Sequence, residues 1–409
     1  ARRIIHLCNL EIFDAASERT DDPSVQDRSL RRFSTLFEEP DRIREGRHAV
    51  VHCVMNAWGE KFAVKVSKNR PQDVECECHR AVSGRLGFPQ LFARGKLNGA
   101  DALVMEWIEG ETLERVRGKL VLDDRGRISP LTAARICRDM CNALVTFQAD
   151  DANVIHRDIS TTNVIVRTSS LSLPQQVTEG VFDVCLIDFG SAMKGDRGSF
   201  DVSSRAKDST AKKDSSAPNA VVRIESDACF DDVDLDRLVA TPAFAAPELL
   251  VRREGRVDHI MPTSKADVYA VGSVLFLLVT GQLPFDIDDA DERAVIEKSF
   301  EKKVHGCMKP YVTAHGLDSD LAIILSREPE VAVALGYAIS DFRAPLTTQD
   351  VRNALVVVDE QLGQIIASCL AIDPDLRPSF TQLESMLSAF CDNYKINIGR
   401  ALRDEPLEP

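Results

Sequence analysis

Apolar and β-branched residues come in short runs over the first hundred positions and at helical intervals beyond them. That change of period reads as a small sheet followed by a larger helical body. Residues 1–40 are charged and weakly patterned, and they read as an extension, partly helical at best, with 30–37 the best helix candidate. Two short apolar runs, 48–54 and 61–66, are broken at Ala57-Trp58-Gly59 and predict an antiparallel hairpin. A helix is expected over about 72–84, and strands over 90–95 and 102–108. Residues 132–149 carry Ile136, Met140, Leu144 and Phe147 at helical spacing. Runs at 163–167 and 184–187 flank a polar loop and predict a second hairpin. Helices are expected at 265–280, about 291–305, about 348–371 and 379–392. The fold class is therefore α+β in two lobes, a small antiparallel sheet with one helix and a larger, mainly helical lobe.

Two stretches read as insertions. Residues 194–236 are rich in Ser, Asp, Lys and Arg and poor in large apolar residues until Val233. Such a segment buries too little surface to offset its ordering entropy. Residues 306–346 hold apolar runs and are expected to fold onto the helical lobe. The resulting division is an extension at 1–40, a first lobe at 41–108, a second at 109–395 and a tail at 396–409.

Composition narrows the functional classes. The chain has 409 residues, 44% of them apolar, enough for two real cores. Its formal net charge of −14 argues against nucleic acid as a partner, since non-specific binding needs a basic footprint. Eleven cysteines, odd in number and scattered, do not form a secreted disulfide framework. Cys76 and Cys78 lie two apart, but no second pair with zinc-like spacing follows. No apolar run reaches the ~18 residues of a membrane span. The start, Ala1-Arg2-Arg3-Ile4-Ile5-His6, lacks a signal-peptide core, and the missing initiator Met suggests a fragment, which limits that negative. An intracellular, cytoplasmic setting is the expectation, with oligomeric state left open.

The chemistry concentrates in His156-Arg157-Asp158-Ile159-Ser160-Thr161-Thr162-Asn163, followed by Asp188-Phe189-Gly190. A carboxylate, a neutral oxygen ligand and a second carboxylate are what phosphoryl transfer asks of a protein. Upstream, Lys65 stands in Phe62-Ala63-Val64-Lys65-Val66, where a period of two puts Ala63 and Lys65 on one face. Glu75 and Glu77 both fall in the next helical segment. Glu75 shares its face with Cys78, His79 and Val82, a plausible inward stripe, whereas Glu77 aligns with Arg80 and Ala81. Glu75 is the better candidate partner for Lys65.

In this order and spacing the chain resembles a eukaryotic-type protein kinase, Ser/Thr-specific, over about residues 41–390. The resemblance implies ATP and Mg2+ as cofactors and a protein substrate with a Ser/Thr acceptor hydroxyl. It implies Asp158 as catalytic base, Asn163 and Asp188 as magnesium ligands, Lys65 on the α/β-phosphates and Glu75 as its ion-pair partner. Gly190 is expected to permit the backbone torsions needed after Phe189. Leu103-Val104-Met105-Glu106-Trp107-Ile108 resembles a strand entering the hinge, with Met105 as gatekeeper and the backbone of Glu106 and Ile108 facing adenine. Val51, Ala63 and Ile165 would sandwich the ring. Ala246-Pro247-Glu248 and Arg377-Pro378 imply a buried Glu248–Arg377 ion pair, and Asp267 implies support of the catalytic-loop backbone.

Two positions depart from the pattern. The phosphate loop, Arg44-Glu45-Gly46-Arg47-His48-Ala49-Val50-Val51, keeps only the middle glycine, Gly46, where backbone N–H groups are still expected to approach phosphate. Ser160 stands where Ser/Thr kinases carry Lys, and losing that cation should slow transfer. The competing reading is a pseudokinase scaffold that binds without efficient transfer. A small-molecule phosphotransferase fits less well, because Arg157 and the Ala-Pro-Glu element belong to protein kinases.

Overall fold

The computed structural model describes residues 3–13, 30–33, 35–46, 48–68, 70–122, 126–148, 153–195, 241–250, 262–285 and 361–402. The first lobe is a seven-stranded antiparallel sheet. Its strands are β1 (Ile4–Ile5), β2 (Cys8–Ile12), β3 (Leu36–Glu45), β4 (Ala49–Met55), β5 (Lys61–Ser67), β6 (Leu91–Leu97) and β7 (Ala100–Glu106). They pair in the order β1-β3-β4-β5-β7-β6-β2. Helix α1 (Asp73–Val82) joins β5 to β6. The β4–β5 hairpin pairs in register from Ala49↔Ser67 to Met55↔Lys61, across the expected Ala57-Trp58-Gly59 turn. Pro40 interrupts the ladder of β3, whose register shifts between Glu38 and Ile43. Proline has no N–H to donate, so it sits at such irregularities.

The opening residues differ from the expected extension. Residues 30–33 form a single helical turn, and β1 and β2 occupy the two ends of the sheet. Ile5, Leu7 and Ile12 enter its core beside Leu36, Val54, Phe62, Val64, Ala93 and Val104. Their short alternation is too brief to stand out in sequence, and burial alone reveals it.

The second lobe contains α2 (Leu113–Leu120), α3 (Pro130–Val145), α4 (Leu173–Glu179), α5 (Ser264–Thr280) and α6 (Phe380–Leu402), with a further helix over 361–369. Strands β8 (Gly110–Thr112), β10 (Val164–Arg167) and β11 (Val184–Leu186) form a three-stranded sheet, and β9 (Val154–Ile155) pairs with β12 (Met193–Lys194). Helix α5 is buried around nearly its whole circumference, as a helix apolar on all sides must be. Its Gly272 lets the 361–369 helix approach, since a Cβ there would come within 2.4 Å of the Cys369 Cβ. Helix α4 falls inside the stretch expected to be a polar loop. Its signal is a capping box, Ser172 with Gln175, ended by Gly180 at φ 73°. The expected helix over 291–305, the first part of that over 348–371, the insertion at 306–346 and nearly all of that at 194–236 lie outside the described residues.

Candidate active site

Lys65 reaches the site because β5 lies mid-sheet between β4 and β7, and its side chain leaves the face that looks toward the second lobe. Val51 is its cross-strand partner and Ala63 lies two residues away, so all three share that face. The Lys65 ammonium donates to Glu75 Oε1 and, at 2.6 Å, to Asp188 Oδ1. Glu75, not Glu77, is therefore the acid of α1 that meets Lys65. One turn on, His79 stacks on Phe189 with ring centroids 4.6 Å apart, and its Nε2 bonds the Pro89 carbonyl at 2.8 Å. Burial holds the His79 imidazole down near 4, so the stacked ring is neutral at ordinary pH.

Asp188 follows β11 with φ 69°, a left-handed conformation that Asp tolerates better than most residues. It lies deep between the lobes, yet its side chain is 46% exposed because it borders the open cleft. Enclosure alone would raise its carboxyl. The adjacent Lys65 charge and the Gly190 N–H, at 3.0 Å, outweigh that and hold it at about 2. Gly190 corrects one expectation: the left-handed torsion belongs to Asp188, and Gly190 has no positive φ. What it supplies is room, since a Cβ there would stand 3.0 Å from Asp188 Oδ1 and 3.3 Å from Lys65 Nζ.

The catalytic-loop candidate hangs from α5. Asp267, fully buried, accepts the backbone N–H of His156 and of Arg157, each at 2.8 Å. Those two bonds fix the turn at Arg157, which has φ 62°. Burial raises the Asp267 carboxyl to about 7, opposed by the two N–H groups and by Arg157. Asp158 comes next. Its Oδ2 accepts Asn163 Nδ2 at 2.9 Å, and its Oδ1 accepts both the N–H and the hydroxyl of Thr241, at 2.8 and 2.7 Å. Burial lifts Asp158 to about 6 against the pull of these donors. The Asn163 carbonyl accepts the Ile187 N–H at 2.9 Å, which ties this loop to the strand leading into Asp188.

In sequence His79 is visible only on the face of Glu75, and Thr241 only as the Thr before the Ala-Pro-Glu element, where it favours Ser/Thr acceptors; nothing local assigns Thr241 to Asp158. Ser160 is 1% exposed and its hydroxyl pairs with Thr162 at 2.9 Å. Gly46 does not reach out as expected. Its N–H is closed onto Ala49 O at 2.9 Å and its C=O accepts Lys68 Nζ at 2.9 Å. A turn this tight satisfies its own backbone, so the Gly46 amide is not directed at the cleft. Glu106 ends β7 and its N–H bonds Gln90 O at 2.8 Å. The backbone groups of Ile108 are taken by no other backbone group among the described residues. Ile165 lies on β10 opposite Cys185 and Thr112. Farther out, Arg377 grips Glu248 with two bonds of 2.6 and 2.9 Å.

For magnesium, the donor chemistry fits. Asn163 Nδ2 is held by the carbonyl and carboxylate of Asp158, which leaves its Oδ1 as the available atom. Asp188 Oδ2 takes no hydrogen bond from the described residues. Two such oxygens are what a hard cation bound to phosphates needs from a protein.

A sheet lobe whose lysine meets the carboxylate of a helical lobe, beside a second carboxylate held by an asparagine, defines a phosphotransferase fold. The family model described as "Protein kinase domain" matches residues 37–387, and the chain belongs to that family. It is 30% identical over 262 residues to the serine/threonine-protein kinase PkaA of Streptomyces coelicolor, covering 61% of this chain and 37% of that protein. Against the probable serine/threonine-protein kinase pknA2 of Bifidobacterium longum it is 23% identical over 274 residues, 61% and 28% of the two chains. The serine/threonine-protein kinase PEPKR2 of Arabidopsis thaliana is 26% identical over 252 residues, 61% and 41% of the two. The chain spans less than half the length of these relatives. No helix among the described residues is long and apolar enough to cross a membrane.

Proposed function

We propose that this chain is an active kinase that transfers the γ-phosphate of ATP, with Mg2+, to Ser or Thr hydroxyls of a protein substrate. The observation that carries the reading is the 2.6 Å contact of Lys65 with Asp188, which joins the two lobes at one point beside Asp158. Lys65, kept charged by its two carboxylate neighbours, holds the donor's phosphates. Glu75 fixes the ammonium, and Val51, Ala63 and Ile165 line the apolar part of the nucleotide site. The main chain of Glu106 and Ile108 meets the base. Asn163 and Asp188 hold magnesium, which when bound neutralises charge on the phosphates. Asp158 orients the acceptor hydroxyl and takes its proton, a role for which a carboxylate raised to about 6 is suited near neutral pH. The Thr241 hydroxyl, now donating to Asp158 Oδ1, is the group the substrate hydroxyl would displace. The similarity to relatives named as Ser/Thr kinases supports the acceptor class. An intracellular setting fits nine described cysteines that are all free thiols.

The test is Asp158→Ala in a radiolabelled ATP assay against mixed peptide libraries. Transfer should vanish while ATP still raises the melting temperature. Unchanged turnover removes Asp158 from its role.

A second reading, a scaffold that binds nucleotide without transferring phosphate, is favoured by one feature. Ser160 offers a buried hydroxyl bonded to Thr162 where a γ-phosphate cation would help. A thermal shift with ATP and Mg2+ but no phosphate incorporation by the wild-type chain selects it.

A further inference from the structure

The two ends of the seven-stranded sheet are neighbours in sequence. β1 and β2 are separated only by His6 and Leu7, yet they sit at opposite ends of the strand order. A flat sheet of this size would hold its end strands roughly 29 Å apart at the ~4.8 Å strand spacing. From Ile5 to Cys8 the chain can reach only about 11 Å. The sheet must therefore curl until its two edges almost meet, and residues 3–13 bridge the gap.

The strap does more than close the sheet. On one side Ile4 and Ile5 pair with Phe37 and Leu36. On the other, Cys8, Glu11 and Ile12 pair with Lys96, Arg94 and Ala93, and Phe13 N–H bonds Phe92 O at 2.9 Å. Phe13 then leaves the sheet core and joins a separate apolar cluster with Cys76, Leu91, Leu103 and Met105. Cys76 belongs to α1 and is the residue directly after Glu75. Arg80, four residues on, lies over the Phe13 ring at 4.8 Å. Glu11 pairs with Arg94 at 2.5 Å, and Arg94 with Asp73 in the first turn of α1 at 3.1 Å. Helix α1 is thus held from two directions. Cys76 and Arg80 face the strap, while Glu75 and His79 face Lys65 and Phe189.

We propose that residues 3–13 are a built-in brace for α1, and that Phe13 is a positioning residue that keeps Glu75 on Lys65. The consequence for catalysis rests on the kinase reading above, whereas the bracing itself does not. A helix with a short apolar contact face gains its place from packing rather than from propensity. Without Phe13, α1 loses its outer support and Glu75 samples positions away from the ammonium.

The test uses the full chain with Phe13→Ala, Phe13→Leu and Glu11→Gln, each read by hydrogen exchange and by ATP titration of phosphate transfer. In Phe13→Ala, exchange over 73–82 should accelerate by about tenfold or more while that of α3 and α5 stays as in wild type. Its kcat should fall by about tenfold, the scale on which loosened positioning acts. Phe13→Leu, which refills the cluster, should restore most of both. Glu11→Gln, a milder change outside the core, should speed exchange in the first turn of α1 by about twofold to threefold. The brace is refuted if exchange over 73–82 is unchanged in both Phe13→Ala and Glu11→Gln, or rises no more than that of α3. If Phe13→Ala fails to fold, Glu11→Gln alone decides: faster exchange in the first turn of α1 supports the brace, and none refutes it. Absence of transfer by the wild-type chain would refute the kinase reading and leave the exchange result to judge the strap.

Discussion

Two buried charge clusters use the same kind of attraction for opposite ends. Around Arg377 every direction is occupied. Its guanidinium bonds Glu248 twice and the carbonyls of Ala371, Lys265 and Ile372, and it lies under Tyr269 at 5.0 Å. Its side chain has no exposed surface, and that of Glu248 only 6%. Around Lys65 one ammonium is shared by two carboxylates, and one of them, Asp188, opens onto the cleft. A planar fork with all its donors satisfied can only hold two segments together. A point charge between two acids can change partners, as the proposed function asks of Lys65 when phosphate enters. On that reading the difference separates an ion pair built for stability from one built for exchange.

The largest expected effect lies on the saturated side. Arg377→Ala should destabilise the fold by about 3–5 kcal/mol, because Glu248 is left buried and unpaired. Arg377→Lys should recover little of it, since an ammonium cannot serve five acceptors in one plane. Urea unfolding measures both, and a loss under about 1 kcal/mol would place Arg377 among ordinary surface pairs. On the open side the effect moves from stability to turnover. Asp188→Asn should cost about 10²–10³ in transfer while destabilising the fold less than Arg377→Ala does, because Lys65 keeps Glu75 as a partner. A mutant that unfolds as readily as Arg377→Ala would erase the contrast.

Proton linkage sharpens the comparison further. Asp158 must be ionised to take a proton, so transfer should fall about tenfold per unit below pH ~6. Thr241→Val removes a hydroxyl that pulls Asp158 down, so the acid limb should move above 6. A limb that moves down, or stays, breaks the link between Thr241 and Asp158. Stability runs the other way. Because the folded Asp158 binds its proton at about 6, above the ordinary 3.8, stability should rise as pH falls across that window. Asp158→Asn should reduce that rise, the remainder coming from Asp267, which is lifted to about 7. Asp188, held at about 2, stabilises the fold at ordinary pH, and that contribution is lost only as pH falls from 3.8 toward 2.

The smallest effect is expected at the phosphate loop. Gly46 has no left-handed φ, and a Cβ there would meet only Ala49 O at 3.4 Å. Gly46→Ala should therefore change ATP affinity by less than about threefold, within the ~0.5 kcal/mol of an unstrained surface change. A larger loss would return the glycine to the nucleotide site.

Much of the fold could be read from pattern. The β4–β5 hairpin, α1, β6, β7 and α3 were legible because their own residues carry a period of two or 3.6, and α5 because 270–279 is a nearly continuous apolar run. The strands at the start were not, since two and five residues are too few to show a period and their burial depends on partners more than thirty positions away. Helix α4 was missed although its caps were written in Ser172, Gln175 and Gly180. At the site, the side chains that could do chemistry were legible from spacing. Their second partners, such as Thr241 on Asp158, were not, because no local pattern assigns a contact across 83 positions.

By itself the sequence determined the types of reactive group, their order, and the two kinds of element that carry them, because side-chain chemistry and backbone period are local properties. It also weighed Glu75 ahead of Glu77 by the helical face each occupies. Only the tertiary structure decided that Lys65 is shared between Glu75 and Asp188, that the Gly46 turn closes on itself, and that Phe13 seats against α1. Each of those is a contact between segments far apart in the chain, and such a contact depends on how every element between them packs.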